Sequence, residues 1–259
     1  MALPGLLATS TVLVVLAAPF VGSFLAVVAI RVAEGRGFLG GRSRCPACRA
    51  VLGPLSLVPV ASWIWQRARC RSCGARISPY YPLVELSALA LAVWAVLAAP
   101  ADLVVVSCIL GWTLLAVALI DLRSFRLPDA LTLPLAAAGL AVTYAIDPDA
   151  LAAHAAGCAG GFTAFAGLAW AYERIRNRPG LGLGDAKLLA GAGAWLGWAA
   201  LPGVVLIAAL SGLAVSLASG RLGGGLSSAR PIAFGPYLSV AFWIVWLHGP
   251  VPDLWTFAT

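Results

Sequence analysis

Charge is scarce in this chain. Asp, Glu, Lys and Arg make up 10% of its 259 residues, against 61% hydrophobic residues and a mean hydropathy of +0.95. That balance excludes a soluble globular domain, and apolar runs long enough to span a bilayer recur along most of the length. Residues 1–30 carry no charged side chain, so the basic stretch of a cleavable signal peptide is missing. Arg31 follows the first apolar run, as expected of an uncleaved first span with its N-terminus outside. Alternating apolar and polar runs are missing too, which excludes a membrane barrel and leaves the helix as the spanning element. His154 and His248, the two histidines, lie near the outer edge without a second ligand at useful spacing, which argues for interfacial side chains rather than a metal site.

What is present divides the chain. Residues 11–30 form a first span, and 82–101 and 103–120 a second and third around a Pro100-Ala101-Asp102 turn. A polar link with Arg123, Arg126 and Asp129 leads to a fourth span at 130–146, and Asp147-Pro148-Asp149 turns the chain into a fifth at 150–172. Residues 188–220 are 33 uncharged positions, more than one span of about 20 requires. The Pro202-Gly203 pair is expected to split them into a short sixth and a longer seventh segment, with 231–248 as the eighth. The expected architecture is therefore an all-α polytopic membrane protein of about eight transmembrane helices. By domain, 1–30 is the first helix, 31–81 a cytoplasmic four-cysteine insert and 82–102 the second helix with its turn. Residues 103–220 form the main membrane domain, and 221–259 the last loop, the eighth helix and the C-terminus.

Charge placement supports this count. All 17 Lys and Arg fall in the loops 31–81, 121–129, 173–187 and 221–230, which eight crossings put on one side. The other side holds Asp102, Asp147, Asp149, Asp253 and the two histidines. The positive-inside rule makes the basic side cytoplasmic. Treating 188–220 as one span would carry Arg221 and Arg230 across and break the segregation; a short, re-entrant sixth segment is the alternative, and it would require another crossing to move as well.

Cys45-Pro-Ala-Cys48 and Cys70-Arg-Ser-Cys73 are two Cys-x2-Cys knuckles 21 residues apart. Four thiolates at this spacing suit tetrahedral, structural zinc, and a reducing compartment disfavours disulfides. Four free thiols or two local disulfides are the alternatives. The surrounding arginines are expected to face anionic lipid headgroups. A nucleic-acid role is not expected, since beyond Trp63 and Trp65 the cluster lacks interleaved stacking aromatics. Cys108 and Cys158 lie inside apolar spans and read as small core residues.

Two carboxylates stand out. Asp121 ends the third span and Asp185 opens the sixth segment behind the glycines of GLGLG (180–184), so the topology sets both at one membrane edge. Asp185 suits a helix N-cap and Asp121 a pair with Arg123 or Arg126; Asp129, after Pro128, is a still better N-cap. The functional alternative is a dyad: two close carboxyls share one proton, the charged member takes a proton from water, and the neutral one donates to a scissile carbonyl. GLGLG is a poor phosphate loop, because no strand precedes it; its glycines instead suggest close approach of a substrate backbone to Asp185, with Gly184→Val impairing cutting more than folding. Carboxylates at span ends rather than mid-bilayer, and the lack of an internal repeat, weigh against a proton-coupled membrane transporter. A membrane scaffold with a zinc ribbon is a further alternative.

The order GSFLAVV (22–28), CPAC…CRSC, ISPYYPLVEL (77–86), DLRSFRLPDALT (121–132), GLGLGDAKLL (180–189) and FGPYL (234–238) resembles the type IV prepilin peptidase family over most of the chain. The resemblance implies an aspartic endopeptidase of the bacterial inner membrane that cuts the leader from prepilins or secretion pseudopilins on the cytoplasmic side. It maps the catalytic pair onto Asp121 and Asp185, the zinc positions onto Cys45, Cys48, Cys70 and Cys73, and gives Asp129 structural support. Many members also methylate the new N-terminus with S-adenosylmethionine, and others are peptidases only. The family often reads GSFLNVV, and this chain carries Ala26 where that Asn would stand. Glu85 suits either a functional role or a favourable charge in the first turn of a helix opened by Pro82.

Overall fold

The computed structural model describes residues 4–37, 41–177, 182–222 and 233–249, with side chains omitted at 4–8 and 219–222. The expected 221–230 loop, the first residues of GLGLG and the C-terminus therefore lie largely outside the described residues. Among the described residues the protein is helical with no named strand. The helices are α1 (Pro4–Ala33), α2 (Ala61–Trp65), α3 (Tyr80–Ala98), α4 (Val104–Ser124) and α5 (Asp129–Ile146), followed by α6 (Leu151–Arg176), α7 (Leu183–Leu196), α8 (Leu201–Leu222) and α9 (Gly235–His248). Six of them, α1, α3, α4, α5, α6 and α8, contain stretches long and apolar enough to cross a membrane. The chain is a multi-pass membrane protein. The two remaining long helices, α7 and α9, have 14 residues each, or about 21 Å against a hydrocarbon core of about 30 Å.

The boundaries follow local chemistry. Asn177 stops α6 in the left-handed region at φ 51°, and glycines with positive φ follow α7 and α9, Gly197 at 76° and Gly249 at 82°. The long apolar run thus breaks at Gly197, not at Pro202-Gly203. Pro202 is the second residue of α8, where a missing N–H costs nothing because no intrahelical acceptor exists for it. The Pro-Gly pair expected to break the run instead lies in the first turn of a helix.

The chain forms two compact units, Met1–Trp112 and Thr113–Thr259, with α4 running through the boundary. In the first, α1 packs on α3. A side-chain carbon on Gly22 would lie 2.7 Å from the Glu85 backbone and 2.9 Å from the Ala88 side chain, so only glycine permits this approach. Ala26, one turn further along α1, is fully buried.

In the second unit α7 is the centre, with α5, α6, α8 and α9 against it. Every residue from Leu188 to Trp195 is buried. Glycines permit the approach: a carbon on Gly193 would sit 2.2 Å from the Gly157 backbone, and one on Gly161 2.8 Å from the Leu189 carbonyl. Trp195 fills the space over Gly139 and donates its indole N–H to the Leu135 carbonyl at 2.8 Å, a buried bond worth about 1 kcal/mol net. His154 Nδ1 lies 3.0 Å from both Thr143 Oγ1 and the Ala194 carbonyl, which ties α6 to α5 and α7. Cys108 is fully buried and Cys158 half-buried.

Candidate active site and metal centre

Asp121 lies in the last turn of α4, which runs one turn past the expected span end, and is 5% exposed. Its Oδ2 accepts the backbone N–H of Gly235 at 3.0 Å, at the very start of α9. A helix N-terminus presents unpaired N–H groups and the positive end of its dipole, so α9 favours an anionic oxygen there. A side-chain carbon on Gly235 would fall 2.7 Å from that oxygen. Gly235 is therefore part of the site, although FGPYL showed no chemistry in the sequence. Its signal was a Gly-Pro pair opening an apolar helix.

Asp185 lies in the first turn of α7 and is 9% exposed. It is not the N-cap: Gly182 holds that position, and the Asp185 N–H bonds back to the Gly182 carbonyl at 3.0 Å. Its carboxylate lies over the start of its own helix, where the Gly182 backbone N–H bonds to it as in the reciprocal arm of a capping box. Asp129 is not a cap either. Pro128 takes the cap position of α5, and Asp129 Oδ1 instead accepts the Lys187 ammonium at 2.5 Å. That exposed ion pair contributes little stability but ties the start of α5 to the start of α7.

The same end of the unit holds both acids. The turn after α4 begins with the Phe125 N–H bonding to the Asp121 carbonyl, and two residues later Leu127 covers Gly184 on α7. Asp121 and Asp185 are within electrostatic reach of one another. Two carboxyls from remote segments, both largely withdrawn from water, thus lie at the same end of the unit, with a helix N-terminus aimed at one of them.

The glycines before Asp185 divide in role. A carbon on Gly184 would meet the Leu127 side chain at 2.7 Å, so this glycine serves packing rather than substrate approach. Among the described residues, a carbon on Gly182 would meet only Asp185 Oδ2, at 3.5 Å, and the Gly184 backbone nitrogen, at 3.8 Å. Gly184→Val is therefore expected to lower the yield of folded protein, and Gly182→Val to leave yield intact while impeding access to Asp185. Parallel measurement of membrane-inserted protein and of activity checks both; equal yields for the two variants would reverse the assignment.

In the first unit the sulfurs of Cys45, Cys48, Cys70 and Cys73 all lie within 4.8 Å of one another, and none is in a disulfide. Each knuckle closes with the same pair of backbone bonds: Cys45 N–H to Ala50 O and Arg49 N–H to Cys45 O, then Cys70 N–H to Ala75 O and Gly74 N–H to Cys70 O. Arg49 and Gly74 both adopt positive φ, 58° and 70°, so Arg49 occupies a position that glycine takes more easily. Backbone N–H groups of Cys73 and then Ser72 bring the Cys70 thiol down to about 6. Cys73 moves the other way: the Ala75 N–H lowers it, but the Cys48 sulfur and burial push it up to about 11. Four sulfurs at this spacing fit tetrahedral coordination, in which Zn–S bonds of about 2.3 Å separate sulfurs by about 3.8 Å. The cluster is a site that can bind a metal ion.

Glu85 has a different place from the one its sequence suggested. Helix α3 starts at Tyr80, so Glu85 is its sixth residue, beyond the first turn. Its carboxylate is 5% exposed, and Oε2 accepts the Val60 N–H at 2.7 Å.

The described residues thus combine a polytopic helical frame with two buried carboxylates and a four-thiol knuckle pair. Two family models match, the bacterial peptidase A24 N-terminal domain over residues 16–99 and the type IV leader peptidase family over 108–217. A prepilin leader peptidase/N-methyltransferase of Aeromonas hydrophila is 41% identical over 215 residues, covering 83% of this chain and 74% of the relative. One from Burkholderia pseudomallei (strain K96243) is 43% identical over 199 residues, 76% and 64% respectively. One from Dickeya chrysanthemi is 40% identical over 200 residues, 77% and 70%. No solved structure matches. The chain belongs to the type IV leader peptidase family.

Proposed function

We propose that this protein is a membrane aspartic endopeptidase that removes the leader peptide from prepilins or pseudopilins, with Asp121 and Asp185 as its catalytic pair. The observation that carries the pair is the joint burial of two remote carboxyls at one end of the second unit, one of them bonded to the Gly235 N–H. Like charges so close cannot both persist cheaply, so the pair holds one proton in common. The ionised carboxylate removes a proton from water as that water attacks the scissile carbonyl. The protonated carboxyl donates to the carbonyl oxygen. As the tetrahedral intermediate collapses it takes that proton back, while the proton gained from water passes from the other carboxyl to the departing amine, which leaves the pair with one proton again. The Gly235 N–H keeps one oxygen of Asp121 engaged, which fixes the orientation of the carboxylate plane before substrate arrives.

The basic loops, and with them the site, belong on the cytoplasmic side of the inner membrane by the positive-inside rule. Cys45, Cys48, Cys70 and Cys73 would hold zinc with no coordination position open to water, which makes its contribution structural. The relatives are also named N-methyltransferases, so methylation of the new N-terminus from S-adenosylmethionine is the second activity of this reading. The described residues assemble no strand-borne glycine loop or other evident cradle for that molecule.

Purified protein reconstituted with a prepilin tests the reading. Mass spectrometry of the product is expected to show the leader removed and one methyl group on the new amine. Metal analysis of the same preparation is expected to give about one zinc per chain. An intact prepilin after incubation with folded, zinc-loaded protein would overturn the peptidase assignment.

A further inference from the structure

Between the two knuckles, residues 54–65 fold into a compact hairpin whose surface is unlike the rest of the insert. A 3-10 turn at Pro54–Leu57 and the short helix α2 are closed on one another by the Ser62 hydroxyl, which donates to the Ser56 carbonyl at 3.2 Å. Leu55 (65% exposed), Ile64 (63%) and Trp65 (75%) stand open on it, with Leu57 and Val58 beside them. An apolar face of this kind is abnormal in water.

The depth at which the hairpin is held explains the face. Val60 links the two halves in a rare conformation for a β-branched residue, φ 57° and ψ −54°, with the Ala61 N–H reaching back to the Pro59 carbonyl. That tight turn points the Val60 N–H at Glu85. Glu85 lies five residues into α3, about 7.5 Å along the helix, and packs against Gly22, which is 11 residues short of the end of α1. A backbone group of the hairpin is thus bonded to a side chain well inside two packed membrane helices. Trp63 adds a second tie, its indole N–H to the Ile77 carbonyl at 3.2 Å, just before α3. The knuckle that follows carries exposed Arg67, Arg69 and Arg71 and no acidic residue.

We propose that residues 54–65 form an interfacial membrane anchor. Leu55, Ile64 and Trp65 lie at the boundary of headgroups and acyl chains in the leaflet nearest the cysteine knuckles, and the neighbouring arginines meet anionic headgroups. A depth of about 5–10 Å is where amphipathic elements with Trp and Leu on one side and arginine on the other reside. Glu85 acts as the internal strut that holds this depth, which gives a buried carboxylate and a strained turn one shared purpose.

Photocrosslinking in the full-length, reconstituted protein tests this. A diazirine amino acid is placed singly at Leu55, Ile64 or Leu97, the last being 80% exposed on the membrane helix α3. Illumination in vesicles of phosphatidylethanolamine and phosphatidylglycerol, with prepilin added in half the samples, is followed by mass spectrometry. Phospholipid adducts at 55 and 64 are expected within about threefold of those at 97. Adducts dominated by water, or by prepilin when it is present, would overturn the anchor. Replacing phosphatidylglycerol by phosphatidylcholine is expected to lower the yield at 64 but not at 97; an unchanged yield at 64 overturns the headgroup contact. Glu85→Gln keeps an acceptor for the Val60 N–H and is expected to retain the adducts, whereas Glu85→Ala is expected to lose most of them. If Glu85→Ala fails to insert, the labels in the otherwise unaltered chain still decide.

Discussion

Asp121→Asn and Asp185→Asn are each expected to reduce prepilin cleavage by on the order of 10³-fold or more while the protein still inserts and binds zinc. Asparagine keeps the shape of the side chain and can still accept a hydrogen bond, so the Gly235 N–H to residue 121 survives in Asp121→Asn. What disappears is the capacity to hold or exchange the common proton. Because the two carboxyls act as one unit, the double variant should be no slower than either single one. Rates from cleavage of a purified prepilin decide the matter. A single variant within about tenfold of the parent would remove that residue from the chemistry. Multiplicative losses in the double variant would show two independent contributions instead of a dyad.

Gly235→Ala is expected to cost on the order of 10²-fold in cleavage with little loss of inserted protein. The new methyl would fall 2.7 Å from Asp121 Oδ2 and 3.1 Å from its carboxyl carbon. The neighbour it meets is a side chain in the last turn of a helix, which can rotate away at modest cost. Rotation preserves the fold and misplaces the carboxylate, and displacement of a reacting group by about 1 Å is enough for a loss of that size. Gly193→Ala makes the contrasting case. Its methyl would meet the Gly157 backbone at 2.2 Å, which cannot rotate away, so folded protein should be lost along with activity. Circular dichroism and size-exclusion profiles beside the rates separate the two behaviours. Equal loss of folded protein in both variants would place Gly235 with the packing glycines.

Much of this was legible in the chain itself. Long uncharged runs fix where lipid must be, and the arginines mark the loops between them. The spacing of the four cysteines forecast a cluster the structure places within 4.8 Å. Asp121 and Asp185 are singled out in the sequence by their common position at span ends, and the structure buries both. The failures share one physical cause. A glycine or an acid before an apolar run has several meanings, and the neighbour across the helix interface chooses among them. Leu127 turns Gly184 into a packing residue, Lys187 takes Asp129 away from capping, and Val60 claims Glu85. Those partners lie 25 to 58 residues off in sequence, where no local pattern reaches.

Lipid thickness has little hold on α7. The helix that bears Asp185 spans 14 residues and is sheathed by its neighbours along almost its whole length. Its height is metered by the Gly157, Gly161 and Gly193 contacts, which are protein against protein. Bilayers of longer or shorter acyl chains would tilt or stretch the outer helices while the acid stays at its own level, as a gauge mark fixed to the frame and not to the tide.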